Sequence, residues 1–348
     1  MVSMVLRGVV LMLLVGVAAA CGPSQAQEAV DSRSARTIAT NLSVPWGVAF
    51  LPGGDALVSE RTTGRILRVS RSGRKRTVMQ IPGVDTDAGE GGLLGIALSP
   101  GYRRNRLVYA YFTGGSDNRI VRFRLGGRVR PVLTGIRRGF NHNGGRIAFG
   151  PDGKLYAGVG DSGDSDLSQD RGSLNGKILR MNPDGSVPSD NPFGSRVWSL
   201  GHRNVQGLAW DSAGRLWATE FGQDTFDEVN LIRKGRNYGW PEVEGRGSTD
   251  GGRFTNPAVT WRTSDASPSG AAIRRGTLFI GALQGEAVLR VRLNGTRASK
   301  RSPLLQGRYG RIRTVARAPD GSLWVTTSNQ DGRGDPRSGD DRIVRLVP

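Results

Sequence analysis

Residues 145–161 read GRIAFGPDGKLYAGVGD: a short apolar segment, a turn of Pro151, Asp152 and Gly153, and a second apolar segment ending at Asp161. Proline presets the turn, aspartate folds onto the backbone and glycine accepts a positive φ, so the two segments are antiparallel neighbours. The same unit occurs five more times: WGVAFLPGGDALVSE from Trp46, LGIALSPGYRRNRLVYAYF from Leu94, QGLAWDSAGRLWATEFG from Gln206, SGAAIRRGTLFIGAL from Ser269 and TVARAPDGSLWVTTS from Thr314. Their second strands start near Leu57, Leu107, Leu155, Leu216, Leu278 and Leu323, at intervals of 45 to 62 residues. A third strand of common type follows, such as GRILRVS from Gly64, NRIVRFRL from Asn118, GKILRMN from Gly176, GEAVLRVRL from Gly285 and DRIVRLV from Asp341, with EVNLI from Glu228 in the fourth copy. No stretch keeps a helical apolar period over three turns. Several short strands per unit of this length identify propeller blades, and six copies give an all-β, six-bladed β-propeller. A β-helix repeats at a much shorter period and a sandwich does not repeat.

Thr37 to Leu42 is placed as the strand that closes the ring with the last blade, making residues 37–348 one domain. Two insertions rich in Gly, Ser and Asp, Gly163 to Asn175 and Asp250 to Ser269, are placed as loops on a face of the disc. Trp210, Trp217, Trp324, Phe149 and Tyr156 recur at strand spacing and are expected to pack between blades.

Ahead of the repeats, residues 1–20 carry one charge, Arg7, and an apolar run from Val9 to Ala20. That run is too short to span a bilayer and reads as a signal peptide. The small residues Ala18-Ala19-Ala20 before Cys21 suit either lipoprotein processing, with Cys21 lipidated, or ordinary secretory cleavage. Residues 21–36 are polar and read as a flexible tether, so the expected location is exported: a cell-envelope lipoprotein at the outer face of a membrane, or a secreted protein. The sole cysteine is Cys21, so no disulfide braces the domain. The 49 Lys and Arg outweigh the 30 Asp and Glu, a net charge of +19. The arginines are scattered, without a recognition helix or RNA-binding signature, which argues against nucleic acid and for a solvated surface drawn to anionic polymers or acidic lipids.

Six polar loops each precede the first strand of a copy and so face one end of the axis: those at Trp46, Glu90, Asn141 to Gly145, His202 to Gly207, Ser267 and Arg311 to Arg313. His142 is a general-base candidate or a hydrogen-bonded structural histidine; Gly144 and Gly145 beside it would let a flat ligand approach. Asp161, at the end of the same blade's second strand, could orient the imidazole. Arg203, Arg311 and Arg313 suit carboxylates or belong to the general surface charge. Glu220, Asp227 and Glu228 around Phe221 to Asp224 offer hard oxygen ligands of the kind calcium takes, or form a solvated acidic turn.

EGGLLGIALSP, NHNGGRIAFGPDGKLYAGVGD, LGHRNVQGLAW and DEVNLIRKGRNYGWP, in this order from about Trp46 to Val344, resemble the glucose/sorbosone dehydrogenase family, the soluble quinoprotein aldose dehydrogenases. The resemblance implies a six-bladed propeller holding pyrroloquinoline quinone and calcium, an aldose oxidised at C1 to a lactone, and an external electron acceptor, a quinone or redox protein. It implies His142 as base, Asp161 as its support and Arg203 near the reactive carbonyl of the cofactor. Asn204, Arg311 and Arg313 match further cofactor contacts. Gly222 and Gln223 match carbonyl ligands of calcium, and Glu228 and Tyr238 fall where some members hold a second calcium. Two residues depart from the family: Glu90 replaces a glutamine and Gln284 a lysine, leaving the cofactor site two charge units less favourable to a tricarboxylate. Two other classes compete with a dehydrogenase. One is a noncatalytic carbohydrate- or protein-binding propeller that lost tight cofactor binding; the other is a calcium-dependent lactonase-type hydrolase, which needs several carboxylates on one ion.

Overall fold

A computed structural model describes residues 35–348. The expected signal peptide and Cys21 lie outside the described residues, as does most of the tether. The first strand, β1 (Ala35–Ala39), precedes blade 1, formed by β2 (Pro45–Phe50), β3 (Ala56–Glu60), β4 (Arg65–Val69) and β5 (Lys75–Gln80). Blade 2 follows with β6 (Leu93–Leu98), β7 (Val108–Thr113), β8 (Asn118–Phe123) and β9 (Arg130–Ile136), and blade 3 with β10 (Arg146–Phe149), β11 (Leu155–Val159), β12 (Lys177–Met181) and β13 (Val197–Leu200). Blade 4 comprises β14 (Val205–Trp210), β15 (Leu216–Glu220), β16 (Phe226–Ile232) and β17 (Val259–Arg262). Blade 5 comprises β18 (Pro268–Arg274), β19 (Thr277–Ala282), β20 (Ala287–Asn294) and β21 (Arg297–Leu304). In blade 6, β22 (Ile312–Arg317), β23 (Leu323–Thr327) and β24 (Ile343–Leu346) are joined by β1, which pairs antiparallel with β24.

The ring therefore closes through its first strand, which starts at Ala35, so Ala35 and Arg36 belong to the sheet and not to the tether. The long insertion also differs from expectation. Val259–Arg262 and Pro268–Ser269 are strand, and the true excursion is the segment 233–258, which runs alongside the last strand of blade 3, with Asn237 bridged in parallel to Leu200. Four residues of strand with a half-exposed pattern carry too little alternation to announce themselves.

Every blade runs antiparallel, so the loops entering the innermost strands share one end of the axis, here called upper, and the turns after those strands share the lower end. The blades lock through aromatic edges. Phe50 meets Trp324 across blades 1 and 6 at 5.0 Å, Tyr109 meets Phe149 across blades 2 and 3 at 5.0 Å, and Tyr156 meets Trp210 across blades 3 and 4 at 5.1 Å, all edge-on. Trp217 is fully buried among residues of blades 4 and 5, and its indole N–H donates to Asp211. Its replacement, Trp217→Ala, is expected to destabilise the protein by about 3–5 kcal/mol. Urea unfolding should show a lower midpoint at unchanged slope; an unshifted midpoint would mean that blade contact does not depend on this ring.

Candidate active site

A cavity of about 360 Å³ opens at the upper end, within the range that holds small ligands. All six entry loops contribute to its wall: Trp46, Glu90, Asn143 with Gly144, Gln206, Ser267, and Arg311 with Arg313. Residues expected at one place from their register thus reach one place.

His142 adjoins this wall in the chain and has a left-handed backbone, φ 52°, uncommon for a residue other than glycine although histidine is among those that adopt it. Neighbours fix it there: its N–H donates to Glu90 Oε2 at 3.3 Å and its carbonyl accepts from Ser162 N at 3.2 Å. Gly144 and Gly145 also have positive φ, and a Cβ on them would collide with the Gly158 carbonyl at 2.5 Å and with Leu94 at 2.6 Å. The glycine pair therefore answers to the crowding of blades 2 and 3, and Gly144 also lines the cavity.

His142 Nδ1 lies 2.7 Å from Asp161 Oδ1. Asp161 Oδ1 also accepts from Gly163 N at 2.9 Å, and its Oδ2 accepts from the Trp240 indole at 2.9 Å. Burial raises the Asp161 carboxyl, but these hydrogen bonds, above all that of His142, outweigh burial and hold it below the ordinary carboxylate value. An ionised carboxylate only accepts, so Nδ1 carries the proton and Nε2 of the neutral ring keeps a lone pair. The stabilisation from this pairing is complete above the ordinary carboxylate pKa and is lost as pH falls through the depressed value. The other histidine, His202, is structural: it is buried, with Nδ1 on Glu220 and Nε2 on Ser199.

The cavity wall carries four arginines, Arg61, Arg311, Arg313 and Arg333, against two carboxylates, Glu90 and Asp331. Asp331 Oδ2 binds Arg311 at 3.1 Å and Arg313 at 3.4 Å, and Glu90 Oε1 binds Arg333 at 2.7 Å. The expected two-unit deficit at Glu90 and Gln284 is thus offset. Arg333 neutralises Glu90, and Arg61 supplies a cation that Gln284, also in the wall, does not. Burial pushes Arg313 down to about 10, against the pull of Asp331, so it stays charged at neutral pH. Beneath the wall lies Arg146, fully buried and pushed down to about 9 by burial and by Arg313; its guanidinium stacks on Trp46 at 4.0 Å. Three buried donors here have no partner among the described residues: Arg61 Nε, Arg313 Nε and Asn204 Nδ2. Unpaired buried donors facing an excess of positive charge fit a flat polycarboxylate such as pyrroloquinoline quinone.

A second, water-sized cavity of about 10 Å³ lies beside the first, lined by Arg203, Glu220, Gly222, Glu228, Tyr238 and Glu244 among others. Arg203 thus borders this space and not the large one; its guanidinium donates to Gln223 Oε1 and lies 5.5 Å from the Trp240 ring centre. Burial and the neighbouring Glu220 raise the Glu228 carboxyl, and burial pushes Asp227 up to about 7. Asn230 Oδ1 is buried without a partner among the described residues. Crowded carboxylates and an unpaired amide oxygen are hard donors that fit a calcium ion. Tyr238 can contribute only its backbone, because its hydroxyl donates to Leu231 O and accepts from Arg233 N. Among the described residues no group of three or more His, Cys, Asp or Glu side chains converges as metal ligands, so any ion here would rely on backbone and amide oxygens as well.

Sequence reasoning missed Arg61, Trp240, Asp331 and Arg333. Arg61 follows the second strand of blade 1 as closely as Asp161 follows that of blade 3, so the register that found one could have found the other. Asp331 and Arg333 leave the second strand of blade 6 in the same way. Trp240 arrives on the excursion from blade 4, and nothing local places it against Asp161.

The sequence pattern of a family described as Glucose / Sorbosone dehydrogenase matches residues 42–343. Quinoprotein glucose dehydrogenase B of Acinetobacter calcoaceticus is 34% identical over 298 residues, covering 73% of this chain and 62% of that protein. Aldose sugar dehydrogenase YliI of Escherichia coli is 32% identical over 339 residues, covering 84% and 89%. The solved PQQ-bound form of an aldose sugar dehydrogenase from Streptomyces coelicolor superposes with a TM-score of 0.85 at 56% identity, covering 89% of this chain and 96% of that one.

Replacing Asp331 with asparagine leaves two buried guanidiniums without their counter-charge. Asp331→Asn should lower the stability of the ligand-free protein by about 3–5 kcal/mol. A tricarboxylate at saturating concentration should raise its unfolding temperature more than that of the parent. Equal gains in both proteins would remove Asp331 from the charge balance of the cavity.

Proposed function

The chain belongs to the glucose/sorbosone dehydrogenase family, and from that premise we propose that it is a quinoprotein that oxidises aldoses at C1 to lactones and passes the electrons to an external quinone or redox protein. The observation that carries this reading is the His142–Asp161 pair beside a cavity with excess positive charge. Arg61, Asn204, Arg311 and Arg313 would hold pyrroloquinoline quinone by its carboxylates, and Glu90 and Gln284 lie against the same cavity. Bound there, the cofactor supplies a two-electron acceptor for hydride from the sugar C1. The loop of Gly222 and Gln223, with Glu228 behind it, would hold calcium.

His142 Nε2 takes the proton of the anomeric hydroxyl as the C1–O bond gains double-bond character. Asp161 holds the Nδ1 proton, fixes the ring plane and stabilises the imidazolium that forms. Trp240 and Gly163 keep the carboxylate in place. An imidazole held at 2.7 Å by a buried carboxylate and set beside a cationic cavity favours this reading over a binding module. Export, with Cys21 lipidated and the residues between it and Ala35 as tether, is part of the same proposal and rests on the sequence of the first 34 residues.

Adding pyrroloquinoline quinone and calcium to purified protein should give a stoichiometric cofactor spectrum and aldose-dependent dye reduction. Absence of both would sink the enzyme reading. His142→Ala should bind cofactor and lose at least about 100-fold in turnover, the share that general-base catalysis commonly contributes; parental turnover would exclude His142 as base. Calcium should raise the unfolding temperature, and Glu228→Gln should reduce that gain. An unchanged gain would place the ion elsewhere.

A further inference from the structure

The face opposite the active site carries a feature that sugar oxidation does not use. Four turns of blades 1 and 2 lie at the lower end; Ser70 to Arg74, Ser99 to Leu107 and Arg124 to Val129 contain no aspartate or glutamate, and the fourth, Leu51 to Asp55, carries Asp55, which is paired with Arg68 at 2.7 Å. Arg71, Arg74, Arg103, Arg104, Arg124 and Arg128 in these turns are exposed. The turn Arg124 to Val129 borders a depression of about 430 Å³ with Arg122, Arg124, Arg128 and Arg130 in its wall and no acidic side chain. Toward the axis, a shallow depression of about 660 Å³ is lined by Phe50, Leu51, Leu98, Pro100 and Pro319, with Arg103 and Arg104 in its wall. Apolar surface beside guanidiniums that outnumber the nearby carboxylates Asp55, Asp184 and Asp320 is the composition that suits a bilayer interface.

The chain enters the fold at this same end. Ala35 pairs with Leu346, which pairs in turn with Leu323 just beyond the lower turn of blade 6. The 34 preceding residues, with the apolar run Val9 to Ala20 and Cys21, therefore join the disc on its arginine-bearing face. Charge and chain entry agree on one orientation.

We propose that the lower face of blades 1 and 2 docks on a membrane surface of anionic phospholipid, with the sugar site facing away from the bilayer. The orientation extends the proposed location at a membrane's outer face, but the surface itself is a property of the folded disc. Arginine suits this role because its weakly hydrated fork binds phosphodiesters while the apolar rim contacts the interface. Each arginine near such a surface strengthens binding about fivefold, and salt weakens it.

The test uses the whole chain carrying Cys21→Ala, so that no acyl chain contributes. It is floated with vesicles of phosphatidylcholine, alone or mixed with phosphatidylglycerol. Binding is expected to the mixed vesicles only and to be released by high salt. Reversing Arg103, Arg104, Arg124 and Arg128 to glutamate should weaken partitioning by at least about 100-fold, whereas the four lysine replacements should keep most of it. Sugar-dependent dye reduction, unchanged in both, reports that the disc is intact. Equal binding to both vesicle types, undiminished binding of the glutamate variant, or binding to polyphosphate but not to vesicles would each overturn the proposal.

Discussion

One geometric constraint governs this molecule: six innermost strands begin at the same end of one axis. An antiparallel blade whose first strand leaves the axis at the upper end delivers both its entry loop and the exit of its second strand to that end. Twelve chain segments are thereby aimed at one small volume without any contact between them in sequence. His142 comes from an entry loop and Asp161 from an exit, and they meet at 2.7 Å because blade 3 supplies both. Arg61 and Asp331 are exits of blades 1 and 6, and Arg311 and Arg313 flank the entry of blade 6. The chemistry is dispersed over nearly the whole chain, yet it needs no long-range design beyond the repetition itself.

The cost of this arrangement is electrostatic. Several guanidiniums are brought out of water within a few ångströms of one another, and the fold answers with Asp331, held between Arg311 and Arg313. That carboxylate does not fully balance them. Arg146 has only Trp46, the Gln206 carbonyl and Thr314 as company, and donors on Arg61 and Arg313 find no acceptor among the described residues. A protein that leaves buried donors unpaired is incomplete without an acceptor, and an anionic cofactor is an acceptor of the right kind.

What the sequence disclosed follows this division. The inner three strands of every blade are apolar or alternating and bounded by Gly, Asp and Pro, so their order and the six-fold repeat were legible. The outermost strands of blades 1 to 5 were not. Lys75–Gln80 and Arg297–Leu304 are largely exposed and polar, because a fourth strand touches solvent along one edge and needs no hydrophobic signature. His142, Asp161 and the Arg311–Arg313 pair were legible through register. The partners that change the charge balance, Arg333 on Glu90 and Asp331 on the arginines, depend on how a loop returns over the cavity, which no local pattern encodes. The glycines beside His142 also answer to the packing of blades 2 and 3, where a Cβ would meet Leu94 and the Gly158 carbonyl, and Gly144 lines the cavity as well.

The closure of blade 6 by Ala35–Ala39 carries a temporal meaning. The strand that leaves the ribosome first among the described elements is the one that must wait for β24, some three hundred residues later, before its edge is covered. Until then the ring cannot close, and both ends of the sheet stay open to other strands. Contacts so distant in sequence form slowly. The last blade therefore cannot be completed before the end of the chain is made, and a lesion at either terminus acts on the same blade.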